Sequence, residues 1–352
     1  VTCLRSRCVR AALEIAALGS LAALGCKEAS KANANGAPAG SIAVASSSRV
    51  EVAASERSRN DLAIGATAAR TVAGATMKVL EAGQPPRRRL RYAWRLDQKE
   101  QLSLELRTAV STEGGGATQA EVSLPSVHVT IDIDPQSVTP DGDLRYQWRV
   151  TSATVDAAGD TPTNVAEGIR AEVADIAHLS GSSLIDCRGL AKEVTGDAGA
   201  VGSGLAAPSM AEQVRQTLRD VAAPFPEEEV GIGARWRKLS QLDEKEALVT
   251  QAETFRLVDL HGTQGTLDDA LAQTAPPQAL HGPGMPPGTR ARMESMLASG
   301  QAKVRFDLSR LVPQTAFDGT TTMVLSGQTA GDTARNVRTV MHVFFAIAGS
   351  RR

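Results

Sequence analysis

The residue types best suited to chemistry sit between Val127 and Asp134, where His128, Thr130, Asp132 and Asp134 alternate with Val127, Val129, Ile131 and Ile133. On a strand the four polar side chains share one face, and a histidine beside carboxylates is a donor set for a divalent metal. Neighbours two apart on one strand stand about 7 Å apart, too far for adjacent pairs to meet at one ion without a second strand. The face therefore reads as a solvated one, and no metal or other cofactor is expected. Gly199, Gly202 and Gly204 superficially match a phosphate-binding loop, but no Lys-Ser/Thr follows and no strand–helix context surrounds them. Gly181-Ser182-Ser183 does not make a nucleophile elbow. The histidines, at 128, 178, 261, 281 and 342, show no paired spacing, and His342, set in an apolar run, reads as structural. Glu227, Glu228 and Glu229 form an acidic turn with too few oxygen ligands for calcium. No enzyme is expected; a hydrolase built from residues distant in sequence is the third-ranked alternative, because such sites are defined by geometry.

The cysteines carry more information. They are Cys3, Cys8, Cys26 and Cys187. Arg5, Arg7 and Arg10 precede the short apolar run Ala11 to Gly25, which ends on a small residue before Cys26. A basic start, an apolar stretch too short to span a bilayer and a small-residue site make a secretory signal, read here as residues 1–25. Leu21 to Cys26 resembles the lipobox of bacterial lipoproteins, with Ala23 where that family usually has Leu. The resemblance implies cleavage before Cys26 and acylation of its thiol. Two or more acyl chains make a stable anchor. Lys27 after the cysteine implies the outer membrane within that class. Cleavage removes Arg5, Arg7, Arg10 and Glu14, so a chain of net charge −1 becomes one of −3. That balance argues against a nucleic-acid partner. Cys187 is left without an internal disulfide partner and is expected to be buried and inert.

The elements that hold these residues follow from periodicity. Residues 26–83 are rich in Ala, Ser, Asn and Gly and read as a tether, with a weak helix over 55–80 as an alternative for part of it. From Arg87 the pattern becomes two-fold. Leu90, Tyr92, Trp94 and Leu96 share one face, as do Leu144, Tyr146, Trp148 and Val150, and as do Ala302, Val304, Phe306 and Leu308. Such alternation predicts half-buried antiparallel strands. Val337 to Ile347 reads as a mostly buried last strand, and Arg290 to Ala298 as a strand in preference to a helix. The segments 90–96 and 144–150 nearly repeat and hold both tyrosines and two of the three tryptophans; Ala234 to Lys238 is a looser echo. The plain reading is good sheet chemistry, aromatic inside and Arg outside. The sharper one makes Tyr92, Trp94, Tyr146 and Trp148 a face for an apolar ligand. Two helices are expected: Val165 to His178 capped by Asn164, and one starting at Ser209 and ended by Pro224.

Glu229 to Trp236 and Phe306 to Pro313 resemble turn and strand-end motifs of uncharacterised β-rich lipoprotein domains of Gram-negative bacteria. The expectation is an α+β body over 84–350, mainly an antiparallel, curved, incompletely closed sheet. It has halves at about 84–196 and 225–350 and one or two helices on its concave side. The expected function is a non-enzymatic envelope lipoprotein, held to the membrane through Cys26, that binds an apolar small molecule or an envelope protein partner. A scaffold with a filled core is the alternative. A cavity of about 300 Å³ or more would favour the first.

Overall fold

The structure is a computed structural model; it describes residues 75–114, 117–118, 120–156, 161–196, 207–244, 247–280, 290–328 and 335–352. Cys26, the segments read as leader and tether up to residue 74, and residues 199–204 lie outside those residues. Strand β1 (Thr76–Glu81) opens the fold, so the end of the stretch read as tether or weak helix belongs to the sheet. Then come β2 (Glu100–Gly114), β3 (Ala117–Thr118), β4 (Val122–Ser123), β5 (Val127–Val138) and β6 (Leu144–Val155). Helix α1 (Thr163–Ile176) leads to β7 (Ser180–Ile185) and β8 (Ala191–Gly196). Helix α2 (Ala207–Arg219) precedes β9 (Arg235–Glu244), β10 (Ala247–His261), β11 (Gln264–Ala275) and β12 (Gln278–Leu280). The chain ends with β13 (Arg290–Asp307), β14 (Gln314–Gln328) and β15 (Arg335–Arg351).

All these strands join one antiparallel sheet in the order β1-β9-β10-β11-β13-β14-β15-β2-β5-β6-β7-β8, with β12, β3 and β4 as side branches. The last strand pairs along its length with the first long one, Val337 opposite Gly114 and Arg351 opposite Glu100. The two expected halves are thus continuous. β1 and β8 end the sheet without pairing to each other, so it is a curved trough, not a closed barrel. One face of each long strand is buried, as the two-fold pattern demands. β15 also alternates: Val337, Thr339, Met341, Val343, Phe345 and Ile347 are buried, while Arg338 and His342 are exposed, so it is not apolar on both faces. His342 lies on the outer face near Thr320 (3.2 Å) and Glu121 (3.7 Å).

Residues 90–96 depart from expectation. Leu90 and Tyr92 are buried, but Trp94 is half-buried, Leu96 is exposed, and the segment forms no strand. Arg88 bridges Val230, the Tyr92 N–H donates to the Cys187 carbonyl, and the Ala93 N–H donates to the Leu308 carbonyl. With hydrogen bonds sent to three unrelated places, no ladder can run. The helices shift at their ends. Pro162, not Asn164, caps α1 and makes no side-chain cap bond, and α1 stops at Ile176. α2 starts two residues before Ser209 and ends at Arg219, ahead of Pro224. They pack on each other and on β6, β7 and β8, burying Ile169, Val173, Ile176, Val214 and Leu218.

Candidate functional site

Tyr92, Trp94, Tyr146 and Trp148 do not line an open face. The stretch Leu218 to Phe225, the last turn of α2 and the irregular chain after it, is held by the polar ends of Tyr92, Tyr146 and Trp236. The Tyr146 hydroxyl donates to the Leu218 carbonyl (3.0 Å), and the Trp236 indole N–H donates to the Pro224 carbonyl (3.1 Å). The Tyr92 hydroxyl donates to the Ala223 carbonyl (3.1 Å) and accepts from the Ala223 N–H (3.0 Å). All three aromatic-and-arginine segments thus clamp one stretch of chain. Burial pushes both tyrosine hydroxyls well above their ordinary pKa and keeps them neutral donors. Trp94 stacks on Tyr92 with centroids 4.4 Å apart, and its N–H donates to the Gly142 carbonyl. Trp148 lies over Gly181 and Gly196; a Cβ on Gly181 would stand 2.6 Å from its ring. This half of the interior is filled core.

The alternating row of β5 is likewise not brought together. His128 pairs with Asp156 (2.8 Å), Asp132 with Gln101 and Arg352, and Asp134 with Lys99 (2.6 Å). His128, Asp132 and Asp134 are half-buried, and each pairs separately with a partner on another segment. Among the described residues no group of three His, Cys, Asp or Glu is placed to hold a metal. Cys187 is half-buried, more open than expected of an inert core thiol. Two surface depressions occur, of ≈ 660 Å³ and ≈ 810 Å³. The first runs over Lys99, Asp132, Asp134, Arg149 and Arg352, the second over Arg235, Arg256, Asp268, Lys303 and Asp318. Both are open, with linings that mix polar and apolar groups, unlike an enclosed apolar ligand cavity.

The arc β9–β15 and β2 holds what the sequence reading missed. One end of its concave side is closed by aromatic rings: Phe225 packs on Tyr92, Trp236 and Phe306, and Trp236 stacks on Phe255. Glu100 reinforces that end, its carboxylate accepting from the Leu311 and Val312 N–H groups (2.8 and 3.2 Å). Burial raises its pKa despite those bonds. Next along the trough comes a buried polar belt. Lys238 on β9 faces Glu253 on β10 (3.7 Å), and Gln251 on β10 faces Gln273 on β11, whose amide N–H donates to it (2.6 Å). Asp269 lies two residues from Leu271, the partner of Glu253. From the helix side Asp220 reaches Lys238 (3.0 Å) and accepts from Gln216 (2.6 Å). Burial opposes the charge on Asp220, yet the Lys238 ammonium and these hydrogen bonds hold its pKa below the usual carboxylate range. Glu253 and Gln273 are 0% exposed, so the belt is inside the protein.

On the strands next to the belt, beyond β11, the wall thins and then turns apolar. Gly300 on β13 faces Gly319 on β14, and the Phe317 ring folds over both; a Cβ at Gly300 would lie 2.1 Å from it. Beyond them Met293, Met296, Met323 and Met341 face the concave side, four of the seven methionines in the chain. The signal for the belt was present in the sequence: Gln251 and Glu253 fall in phase with Phe255 and Leu257, and Asp269 and Gln273 with Leu267 and Leu271.

No known protein family and no curated protein matches the chain. Among solved structures it is similar to OmpT, an outer membrane protein of Vibrio cholerae, at 8% identity and a TM-score of 0.17, over 71% of this chain and 100% of that one. A mutant porin of Rh. blastica gives 6% identity and a TM-score of 0.16, over 69% and 99%. At such scores the likeness carries no argument about function.

Proposed function

We propose that the protein is a non-enzymatic envelope lipoprotein, anchored through Cys26, whose trough holds an apolar ligand. The carrying observation is the methionine-rich concave wall of β13–β15. It shares one hydrophobic core with the clamped aromatic residues but sits on strands other than β6, β7 and β8, on which the helices pack. Methionine side chains are flexible and polarisable and suit apolar guests of irregular shape. This reading moves the ligand face from Tyr92, Trp94, Tyr146 and Trp148 to Met293, Met296, Met323 and Met341. The test is native mass spectrometry of the mature protein with extraction of co-purified lipid. A stoichiometric apolar molecule is the expected result, and a protein free of any such guest overturns the carrier.

A scaffold with a filled core is the second reading, favoured by the hydrogen-bonded plug from Leu218 to Phe225. The anchor is tested separately by Cys26→Ser and cell fractionation. Loss of the protein from the membrane fraction, with loss of acyl mass, is expected; unchanged membrane association without acyl mass rejects the anchor.

A further inference from the structure

The sheet ends differently on its two sides. The end strand β8 has α2 packed on it, whereas β1 pairs with β9 alone among the described strands, and the helices pack at the far end on β6, β7 and β8. Thr76, Lys78, Leu80 and Glu81 are exposed, and Met77 and Val79, which reach the core, are only half-buried. Among the described residues the edge of β1 away from β9 is therefore open, with about half of its N–H and C=O groups turned out of the ladder. The bulge after Val79 ends the regular run, so a strand added there is short, about four to six residues.

An open edge takes any strand unless its side chains choose. Those around β1 are mostly of one sign. Lys78 lies opposite Arg237 and Arg235 opposite Arg256, all four exposed on the outer face. Glu81 pairs with Arg235 (3.0 Å), and among the described residues no acid forms an ion pair with Lys78, Arg237 or Arg256. Leu80 on β1, Ile232 in the turn before β9 and Leu239 on β9 add exposed apolar surface to the same edge. Side chains of a strand laid on β1 alternate between two faces. Half of them extend the inner row of Met77 and Val79, and the other half meet Lys78. A carboxylate opposite that lysine is favourable and a second cation is not. Two copies joined through β1 would bring their basic rows together, which disfavours a self-pair.

We propose that the free edge of β1 docks an extended segment of a partner protein in which apolar and acidic residues alternate. The apolar residues lie beside Met77 and Val79, and the acidic ones beside Lys78 with Arg237 behind it. The proposal depends neither on the guest of the trough nor on the anchor.

The test uses the full chain with Cys26→Ser and three labelled hexapeptides: Glu-Val-Glu-Val-Glu-Val, Lys-Val-Lys-Val-Lys-Val, and the acidic peptide with its middle Val replaced by Pro. Binding is followed by fluorescence anisotropy at low salt, where exposed charges act most strongly. The acidic peptide is expected to bind at least about tenfold more tightly than the other two. It is also expected to slow amide exchange in β1. Lys78→Glu with Arg237→Glu is expected to reverse the preference, so that the basic peptide binds better than the acidic one. Equal binding of the acidic peptide and its Pro form overturns strand addition, because Pro keeps the charge and removes a ladder donor. Equal binding of the acidic and basic peptides overturns the chemistry of the partner. Binding of none overturns the docking edge, whether a second copy or the chain before β1 covers it. If the double variant does not fold, the ranking of the three peptides on the unsubstituted edge decides alone.

Discussion

Removing one oxygen atom from Tyr92 is expected to destabilise the fold by about 2–4 kcal/mol. The ring of Tyr92→Phe keeps its stack on Trp94 and its contact with Phe225, so little packing is lost. What goes is a hydroxyl that both accepts from the Ala223 N–H and donates to the Ala223 carbonyl. Ala223 is 2% exposed, and water does not replace the missing partner. Each stranded buried group costs about 1–3 kcal/mol, partly offset because the hydroxyl itself no longer has to be desolvated. Tyr146→Phe is the internal control. It strips one acceptor, the Leu218 carbonyl at the end of α2, and carbonyls tolerate under-satisfaction better than N–H groups. Its expected cost is about 1–2 kcal/mol. Urea unfolding followed by tryptophan fluorescence and circular dichroism measures both variants. A Tyr92→Phe no costlier than Tyr146→Phe, or a cost below about 0.5 kcal/mol for each, refutes the clamp on Leu218 to Phe225.

Lys238→Met leaves Asp220 and Glu253 buried without their shared ammonium and should cost about 3–5 kcal/mol, seen as a large fall in the urea midpoint. Gly231→Ala places a Cβ 1.8 Å from the Gln84 carbonyl oxygen, which is backbone and cannot swing away; a lower melting temperature is expected, with loosening of the β1–β9 edge visible as faster amide exchange. For pH, Asp220 has a lowered folded pKa. Its contribution is complete above the ordinary carboxylate value of about 3.9 and is lost as the pH falls through the folded value, so Asp220→Asn should flatten the acid limb of stability against pH. Glu100 has a raised folded pKa and does the reverse. Its contribution is fullest below the ordinary value of about 4.3 and fades as the pH rises through the folded one, so Glu100→Gln should change that slope in the opposite sense.

The sheet was legible because burial on one face writes itself as alternation, and β2, β5, β6, β13 and β15 all carry it. The same signal misled at Leu90 to Leu96, where only Leu90 and Tyr92 are fully buried and alternation does not say whether the backbone finds a neighbouring strand. The aromatic echoes were visible as a pattern, but their common purpose was not. Leu218 to Phe225 is distant from Tyr92 and Tyr146 in sequence, and nothing local says that it passes between them. The belt was legible in principle. Glu253 and Asp269 break the apolar phase of β10 and β11, and a carboxylate on the inward phase of a strand is a stronger lead than one on the solvated phase, such as Asp132 or Asp134.

The outer face decides how such a protein can meet a membrane. A strand wall that faces lipid needs an apolar band about 25 Å tall, and a basic residue at its middle costs about 2–4 kcal/mol. Here the outward row across the arc is Arg256 on β10, half-buried Asp268 on β11 and Lys303 on β13, each paired in register with the next, and Arg107 on β2 lies over Phe344 on β15. Such charges lie well inside the strands. These strands also expose Leu248, Val258 and Leu297, with Leu239 exposed on neighbouring β9, and each charge would oppose insertion of its part of the sheet into a bilayer. Among the described residues no helix is long and apolar enough to cross. Acylation at Cys26, proposed above, would hold the body to a membrane without asking any described element to enter the bilayer.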